Sequence, residues 1–239
     1  MSPASISQSF VSQLPASTSS LPATSVKDGL MMFTRYPQPG RTKTRLIPHL
    51  GAEGAAHLQR LMTEHLIKRG LELGRQHPLR FEVHFTGSSL QQIRDWLGQD
   101  VIYHNQCEGD LGQRLAYAFH QGFTNGQERL LAIGSDCPAI GPAHITQALH
   151  LLRHRDLVLG PALDGGYYLI GLRQAVPALF QGVAWGTAEV LRQTVAIATH
   201  LNLSTAFLDP LPDIDRPEDL PEWERICRGS GVASDAVVE

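Results

Sequence analysis

One acidic residue, Asp136, follows a short apolar run and has the chemistry to hold a metal ion. Residues 130–133 are all apolar, which predicts a strand that is buried on both faces of a parallel sheet. Glycine and proline in residues 134–138 then end the strand. A carboxylate at the end of such a strand is suited to hold Mg²⁺ or Mn²⁺ against nucleotide phosphates. The equally weighted alternative is that Asp136 caps the next turn.

A loop rich in cations follows the first predicted strand, residues 30–34. Its two prolines and Gly40 exclude a regular element, so the loop leaves the end of a strand and precedes a helix. This context is typical of a phosphate-binding loop, and a mixture of lysine and arginine suits a di- or triphosphate. The alternative is an ordinary solvated face, and the spacing excludes a Walker loop. The cations are Arg35, Arg41, Lys43 and Arg45.

Two further loops contain glycine beside an aspartate. Gly109, Asp110 and Gly112 open a helix, where exposed backbone amides favour an anion. Asp110 is equally explained as a helix N-cap or as a contact to a nucleotide ribose or base. Asp164, followed by two glycines, is either a turn residue or a second carboxylate that faces Asp136.

The last two site candidates lie near aromatic and acidic segments. Tyr167 and Trp185 could line an acceptor pocket, although Trp185 could instead belong to the core. In the segment 213–220, Asp215 is predicted to cap the last helix, with Glu218 three residues later completing a capping box. Asp213 is then available to contact the metal or an acceptor.

Strand and helix patterns alternate along the chain, which predicts an α/β fold with a mostly parallel twisted sheet and helices on both faces. The predicted strands are residues 30–34, 81–85, 101–104, 130–133, 156–160, 167–172 and a short one near Ala206. The predicted helices are residues 52–74, 90–97, one after Gly112, 143–153, 188–200 and a last one that starts near Asp215. We therefore expect a single domain over residues 27–229, between a disordered tail, 1–26, and a frayed tail, 230–239.

Composition excludes several functional classes. A net charge of −3 argues against electrostatic binding to nucleic acid or to a membrane surface. No apolar run is long enough to span a bilayer, and the first residues lack a secretory signal pattern. The three cysteines form no zinc or disulfide pattern, which favours a cytoplasmic location. Cys137 is predicted to be a small buried residue and not a nucleophile.

Six segments of the chain form a recognisable set of motifs: RYPQPGRTKTRL, GDLGQRL, IGSDCP, GPALDGGYYLIGL, WGT and DIDRPEDL. Taken together, these motifs resemble a bacterial family of GT-A-fold proteins that are described as arsenosugar-biosynthesis glycosyltransferases. More distantly, the chain is similar to molybdenum-cofactor and phospholactate guanylyltransferases. The resemblance covers residues 30–228.

The resemblance implies a GT-A fold, a role for each motif and a transferase activity. It assigns the phosphates to Arg35, Lys43 and Arg45, the nucleoside to Gly109, Asp110 and Gly112, the metal to Asp136, and the acceptor to the loop of Asp164. The implied reaction is the metal-assisted transfer of a sugar from a nucleotide sugar to a small-molecule acceptor. In this reaction Asp164 would position or deprotonate the acceptor hydroxyl, and Lys43 would add positive charge beside the departing diphosphate.

Two alternatives to sugar transfer stay open. The first is nucleotidyl transfer from a nucleoside triphosphate with release of pyrophosphate, and the second is a non-catalytic nucleotide-binding protein. The first gains support because the strand before Asp136 ends in Ser-Asp-Cys and lacks the DxD motif that is usual in glycosyltransferases of this fold. The sequence carries no signal for the nucleotide base, the sugar, the acceptor or an oligomeric state.

Overall fold

The computed structural model describes residues 26–230. The predicted tails, apart from Val26 and Ser230, lie outside the described residues. Seven strands form one sheet in the order β3-β2-β1-β4-β6-β5-β7. The strands are β1 (Asp28–Arg35), β2 (Leu79–Thr86), β3 (Ile102–Asn105), β4 (Arg129–Gly134), β5 (Leu157–Pro161), β6 (Tyr167–Leu172) and β7 (Thr205–Phe207).

Helices cover both faces of this sheet, as the alternating pattern predicts. They are α1 (Ile47–Gln76), α2 (Leu90–Leu97), α3 (Leu111–Thr124), α4 (Pro142–Leu151), α5 (Val190–His200) and α6 (Leu220–Ser230). Helix α1 begins five residues earlier than predicted and bends at Gly51, whose φ of 69° is not helical. Among the described residues, no helix is both long enough and apolar enough to cross a membrane.

The central strands bury both of their faces. In β1, Leu30 and Met32 pack with α1 and α4, whereas Met31 and Phe33 pack with α3 and α5. Strand β4 alternates in the same way and is buried at all of its apolar residues, which confirms the prediction of a strand buried on both faces. Helix α6 closes a third apolar cluster by packing Trp223 against α1.

Strand direction determines which loops meet. Strands β1 to β4 run parallel to one another, and β6 is antiparallel to both β4 and β5. The chain therefore reverses between β5 and β6, so the start of β6 lies at the same edge as the ends of β4 and β5. The order of the strands also reverses between β1 and β4, which is where sheets of this type bind ligands.

Candidate active site

A cleft of about 320 Å³ opens at the edge where β4 and β5 end and β6 begins. We call it the carboxylate cleft. Its charged residues are Arg45, Asp136, Asp164, Asp213 and Asp215, and its wall includes Leu111, Leu115, Tyr167, Tyr168 and Trp185. The cleft thus brings together most of the acidic candidates from three loops that are far apart in sequence.

Lys43 lies beneath this cleft, and its ammonium group is held from several sides. Nζ is 2.6 Å from Oδ1 of Asp136 and donates a hydrogen bond of 2.5 Å to the carbonyl of Ile214. The carboxylate of Asp215 is 3.7 Å away. The Lys43 side chain is only 2% exposed, and its backbone has a left-handed conformation with φ 47°. A non-glycine residue in this conformation is uncommon and often marks a functional site.

The segment that contains Asp213 and Asp215 is tied to the loop after β4. The backbone N–H of Ile214 donates to the carbonyl of Asp136 over 2.8 Å. Asp215 forms an ion pair with Arg45. The expectation that Asp215 caps the last helix is wrong, because the helical segment begins one residue later, with Arg216 at its N-cap position. The carboxylate of Asp219 accepts from the N–H groups of Asp215 and Arg216. Asp215 is therefore free to face the cleft.

Asp213 and Asp164 influence each other across the cleft. Burial, reinforced by the nearby charge of Asp164, raises the pKa of Asp213 to about 6. Asp164 accepts a hydrogen bond of 2.8 Å from the N–H of Gly166, as a turn residue does. Asp164 thus acts as a turn residue, and it also lines the cleft together with Asp136.

The Asp164 loop is fixed by close packing at Gly165. This residue has φ 93°, and a Cβ atom added there would lie 2.3 Å from the carbonyl oxygen of Ala188. Its own carbonyl accepts a hydrogen bond from the N–H of Leu191 at the start of α5. Only glycine fits such a position, so the chain presses this loop against α5 and fixes where Asp164 points.

Two aromatic residues form one wall of the cleft. The rings of Tyr167 and Trp185 meet edge to face, with their centroids 6.4 Å apart. Trp185 also packs against Gly112, where an added Cβ would lie 2.6 Å from the indole Nε1. The role of Gly112 in this structure is close packing, which admits the indole ring beside the start of α3.

Asp110 has an ordinary structural role. Its carboxylate accepts a hydrogen bond of 2.8 Å from the N–H of Gln113, and the Gln113 side chain accepts from the N–H of Asp110. This capping box begins α3. Neither Asp110 nor Gly109 is among the residues that line the cleft, although the neighbouring Leu111 is.

The other predicted residues lie at different distances from the cleft. Arg45 lines it, whereas Arg35 donates a hydrogen bond to the carbonyl of Arg41 and packs near Gly87 after β2. Gly40 does not line the cleft. Cys137 is buried, as predicted, and burial raises the pKa of its thiol to about 12. A protonated thiol is a poor nucleophile.

Sequence reasoning missed a second group of ligand-type side chains, Glu82, His84 and His104. We call it the Glu-His-His cluster, and its three ligand atoms lie within 4.8 Å of one another. Alternation within β2 places Glu82 and His84 on one face, but only the pairing of β2 with β3 brings His104 beside them. The register between the strands is not readable from spacing along the chain.

Comparison with known proteins places this architecture in a family. Residues 70–187 match the family described as uncharacterized protein conserved in bacteria (DUF2064). A solved structure from Desulfovibrio desulfuricans G20, assigned as a candidate nucleotide-diphospho-sugar transferase, is 31% identical with a TM-score of 0.79. The alignment covers 85% of this chain and 89% of that chain. A search of curated proteins found no significant match.

More distant solved structures share the fold. One is CMP:2-keto-3-deoxy-manno-octonic acid synthetase complexed with CTP, at 12% identity and a TM-score of 0.54 over 84% of this chain and 99% of that one. Another is a nucleotidyl transfer enzyme from Methanothermobacter, at 15% identity and a TM-score of 0.54 over 85% and 99%. The α/β fold with a mostly parallel sheet is thus confirmed as nucleotide-diphospho-sugar transferase-like, and the chain belongs to the DUF2064 family.

Proposed function

We propose that the protein transfers a glycosyl group from a nucleotide sugar to a small-molecule acceptor in the carboxylate cleft. The observation that carries this proposal is the convergence of four aspartates, two cations and an aromatic wall at the carboxyl edge of the sheet. The candidate nucleotide-diphospho-sugar transferase of D. desulfuricans, at 31% identity, supports the same reaction class. The arsenosugar association stays a prediction from the resemblance.

The residues of the cleft fit a divalent cation such as Mg²⁺ or Mn²⁺. Carboxylate oxygens are the ligands these hard cations prefer. The side chain of Asp136 is 57% exposed, so its carboxylate faces the cleft, and Asp215 lies on the other side of the same lysine. Asp136 and Asp215 would hold the ion, which when bound supplies positive charge to a departing diphosphate.

The two cations then have different tasks. Lys43 is buried and held by a carbonyl and two carboxylates, so we assign it a positioning role and not that of a mobile phosphate ligand. Its ammonium group contacts the backbone carbonyl of Ile214 and the carboxylate of Asp136 together, and so fixes their relative positions. Arg45 is 57% exposed and lines the cleft, so its guanidinium is the group that can reach phosphate oxygens.

The acceptor would lie between the Asp164 loop and the aromatic wall. Asp164 is exposed on a rigid turn, and we assign to it the removal of the proton from the acceptor hydroxyl. Tyr167 and Trp185 offer apolar ring surface to a sugar, and Asp213 offers a hydrogen-bonding group at the same end of the cleft. These assignments use groups that line one cavity.

One specific observation favours nucleotidyl transfer as a second candidate. Strand β4 leads into a single aspartate, Asp136, between Ser135 and Cys137, and a DxD motif is absent. Nucleotidyl transfer would use the same cations around a triphosphate and release pyrophosphate. The fold is shared with the synthetase complexed with CTP, which is compatible with this reaction.

The decisive experiment is a thermal-shift screen of nucleoside triphosphates and nucleotide sugars with and without Mg²⁺ or Mn²⁺, followed by product analysis. A ligand that binds the native state raises the melting temperature with its saturation. Glycosyl transfer predicts metal-dependent stabilisation by one nucleotide sugar and by its diphosphate, and release of that diphosphate when an acceptor is present. Release of pyrophosphate from a triphosphate would instead establish the second candidate.

Matched variants show whether the cleft is responsible. Asp136→Asn should abolish the metal-dependent part of the stabilisation, whereas Asp100→Asn, at an exposed turn before β3, should leave it unchanged. No stabilisation by any nucleotide would overturn both enzymatic proposals. Metal-dependent binding that survives in Asp136→Asn would move the site away from this cleft.

A further inference from the structure

The Glu-His-His cluster lies on β2 and β3, whereas the carboxylate cleft opens where β4, β5 and β6 meet, and Phe33 of β1 stands between the two. Glu82 and His84 are two residues apart on β2, so they share one face of the strand. His104 on the edge strand β3 pairs directly with His84. None of the three residues lines the carboxylate cleft. The cluster is therefore a separate feature that the proposed transfer reaction does not use.

The distances between the ligand atoms suit a small cation. Nε2 of His104 and Nε2 of His84 lie 3.3 Å and 3.6 Å from the same oxygen, Oε2 of Glu82. Bonds of roughly 2.0–2.1 Å to a tetrahedral Zn²⁺ place ligand atoms about 3.4 Å apart. The two histidine nitrogens are within 4.8 Å of each other, so a small rotation of one ring completes the set.

Burial without hydrogen bonds gives a second, independent indication of a ligand. The side chains of Glu82 and His84 are each only 8% exposed. Nε2 of His84 and Nε2 of His104 are buried, and neither makes a hydrogen bond within residues 26–230. Buried polar atoms nearly always have a hydrogen-bond partner or a bound ligand. Two ring nitrogens that lack a hydrogen bond and converge on one carboxylate oxygen therefore indicate a bound ligand.

The surroundings hold the cluster in a form that can bind a cation. Arg80 pairs with Oε1 of Glu82 and leaves Oε2 for the two histidines. Phe33 stacks on the His84 ring at 5.0 Å and fixes its orientation.

We propose that Glu82, His84 and His104 form a binding site for a divalent first-row transition ion of the Zn²⁺ class. Two imidazoles and one carboxylate are a borderline-soft donor set that suits Zn²⁺, Co²⁺ or Fe²⁺ and disfavours Mg²⁺ and Ca²⁺. Three protein ligands leave a coordination position for water. His104 is 42% exposed, so the site has a path to solvent on the side of the edge strand.

An ion in this site would fasten the edge of the sheet. Strand β3 has four residues and, within residues 26–230, pairs with β2 alone. Few backbone hydrogen bonds therefore hold it, and a bond from the ion to His104 would strengthen its attachment. The next residue after β3, Gln106, donates side-chain hydrogen bonds to the carbonyls of Thr34 and His84. The ion would therefore stabilise the start of the segment that leads to α3.

The test measures metal directly and does not depend on catalysis. The full chain, stripped of metal with EDTA, is dialysed against Zn²⁺ or Co²⁺, and bound metal is measured by elemental analysis and by the visible absorption of Co²⁺. We expect one equivalent of either ion, a raised melting temperature with Zn²⁺, and no response of this site to Mg²⁺. Glu82→Gln and His104→Ala should each weaken binding by 100-fold or more, whereas His120→Ala, at an exposed position on α3, should not.

Each remaining outcome decides the proposal. Absence of stoichiometric Zn²⁺ and Co²⁺ uptake by the folded protein would overturn it and leave the cluster as an ion-paired group without metal. Uptake that persists in Glu82→Gln and His104→Ala, or a Co²⁺ spectrum with thiolate charge transfer, would place the ion elsewhere. If Glu82→Gln fails to fold, the half-exposed His104→Ala variant still decides the result, since circular dichroism reports its folding.

Discussion

Lys43 beneath the carboxylate cleft and Glu82 in the Glu-His-His cluster are both buried charges that have an exposed partner of opposite sign. In the cleft the buried member is the cation, since the Lys43 side chain is 2% exposed and that of Asp136 is 57% exposed. In the cluster the buried member is the carboxylate, since Glu82 is 8% exposed and Arg80 is 40% exposed. The sign of the buried charge determines which atoms are left for a ligand.

This difference predicts different ligands for the two regions. A buried lysine directs carboxylate oxygens toward solvent in the cleft, and such oxygens suit Mg²⁺ or Mn²⁺ and acceptor hydroxyls. A buried carboxylate that is already paired with Arg80 leaves imidazole nitrogens to complete the cluster, and these suit Zn²⁺. The two regions should therefore respond to different metals and to different substitutions.

Lys43→Met should produce the largest effect, and it should fall on activity and not on stability. Without the ammonium group, Asp136 and Asp215 repel each other and lose their shared position, so we expect turnover to fall by about 100-fold or more. Asp136 keeps its water contacts, because its side chain is 57% exposed. The free energy of unfolding should therefore fall by only about 1–2 kcal/mol, because the carbonyl of Ile214 loses its donor. Steady-state kinetics and urea unfolding measure the two quantities.

Arg45→Met is the matched control for this variant. Arg45 pairs with the same aspartate but is 57% exposed, so we expect only about a tenfold loss of turnover, expressed mainly in the KM for the nucleotide. Equal losses in the two variants would contradict the assignment of a positioning role to the buried lysine. A loss of several kcal/mol of stability in Lys43→Met would show that the ion pair is structural.

A pH titration should report on a second buried histidine, His65 on α1, which is 5% exposed and belongs to neither region. Burial and then the nearby Arg69 lower the pKa of His65 to about 4. Arg69 donates to the carbonyls of Pro138 and Ile140, so these residues support the loop after Asp136. The charges that act on His65 are those of Arg69 and Lys68, whereas His84 has the carboxylate of Glu82 beside it.

The sign of the effect follows from the lowered pKa. The unfolded chain takes up a proton at His65 below about pH 6.5, whereas the folded chain does not until about pH 4. The stabilising contribution of neutral His65 is complete above pH 6.5 and is lost as the pH falls toward 4. At about pH 5 the loss amounts to about 2 kcal/mol of unfolding free energy.

Urea unfolding of the wild type and of His65→Gln at about pH 7.5 and pH 5 measures this term. The wild type should lose about 2 kcal/mol more than the variant between the two values, because the remaining titrating groups cancel in the comparison. His57→Gln, at an exposed position on α1, should behave like the wild type. Equal losses in the wild type and in His65→Gln would show that His65 ionises in the folded state near its ordinary pKa.

How far the sequence predicted the molecule depends on whether a feature is local. The strands and helices follow from periodicity, and α2 and β6 have the bounds that the patterns predict. Asp136, Asp164 and Asp213 could be proposed because each stands in a loop that breaks a strand or helix pattern. Asp215 was assigned wrongly because the helical segment begins one residue later than the spacing predicts, with Arg216 at the N-cap position. The pairing of Asp215 with Arg45 and Lys43 is a long-range contact that spacing does not reveal.

Features that depend on pairing across the sheet were not predictable. His104 joins His84 through the register between β2 and β3, and the buried Lys43 donates to the carbonyl of Ile214, which is 171 residues further along the chain. The sequence alone does not distinguish Lys43 from the other three cations of its loop. The structure distinguishes it by its left-handed backbone and its exposure of 2%.

The smallest predicted effect concerns the segment that joins the two regions. It runs from the end of β3, next to His104, to Leu111 in the wall of the carboxylate cleft. Arg114 ties this segment together by donating to the carbonyl of Gly109 and to the side chain of Gln106. Asp110, at its end, was equally compatible with capping α3 and with contacting a nucleotide.

Asp110→Ala tests which of these roles is correct. Since the carboxylate accepts from the N–H of Gln113 over 2.8 Å, its loss should reduce the unfolding free energy by about 1 kcal/mol. The KM for the nucleotide should stay within twofold, because Asp110 does not line the cleft. Asp110→Asn, which retains a capping oxygen, should recover most of the stability. A KM that rises tenfold in both variants while stability stays unchanged would assign Asp110 to the nucleotide and extend the binding site across this segment toward the Glu-His-His cluster.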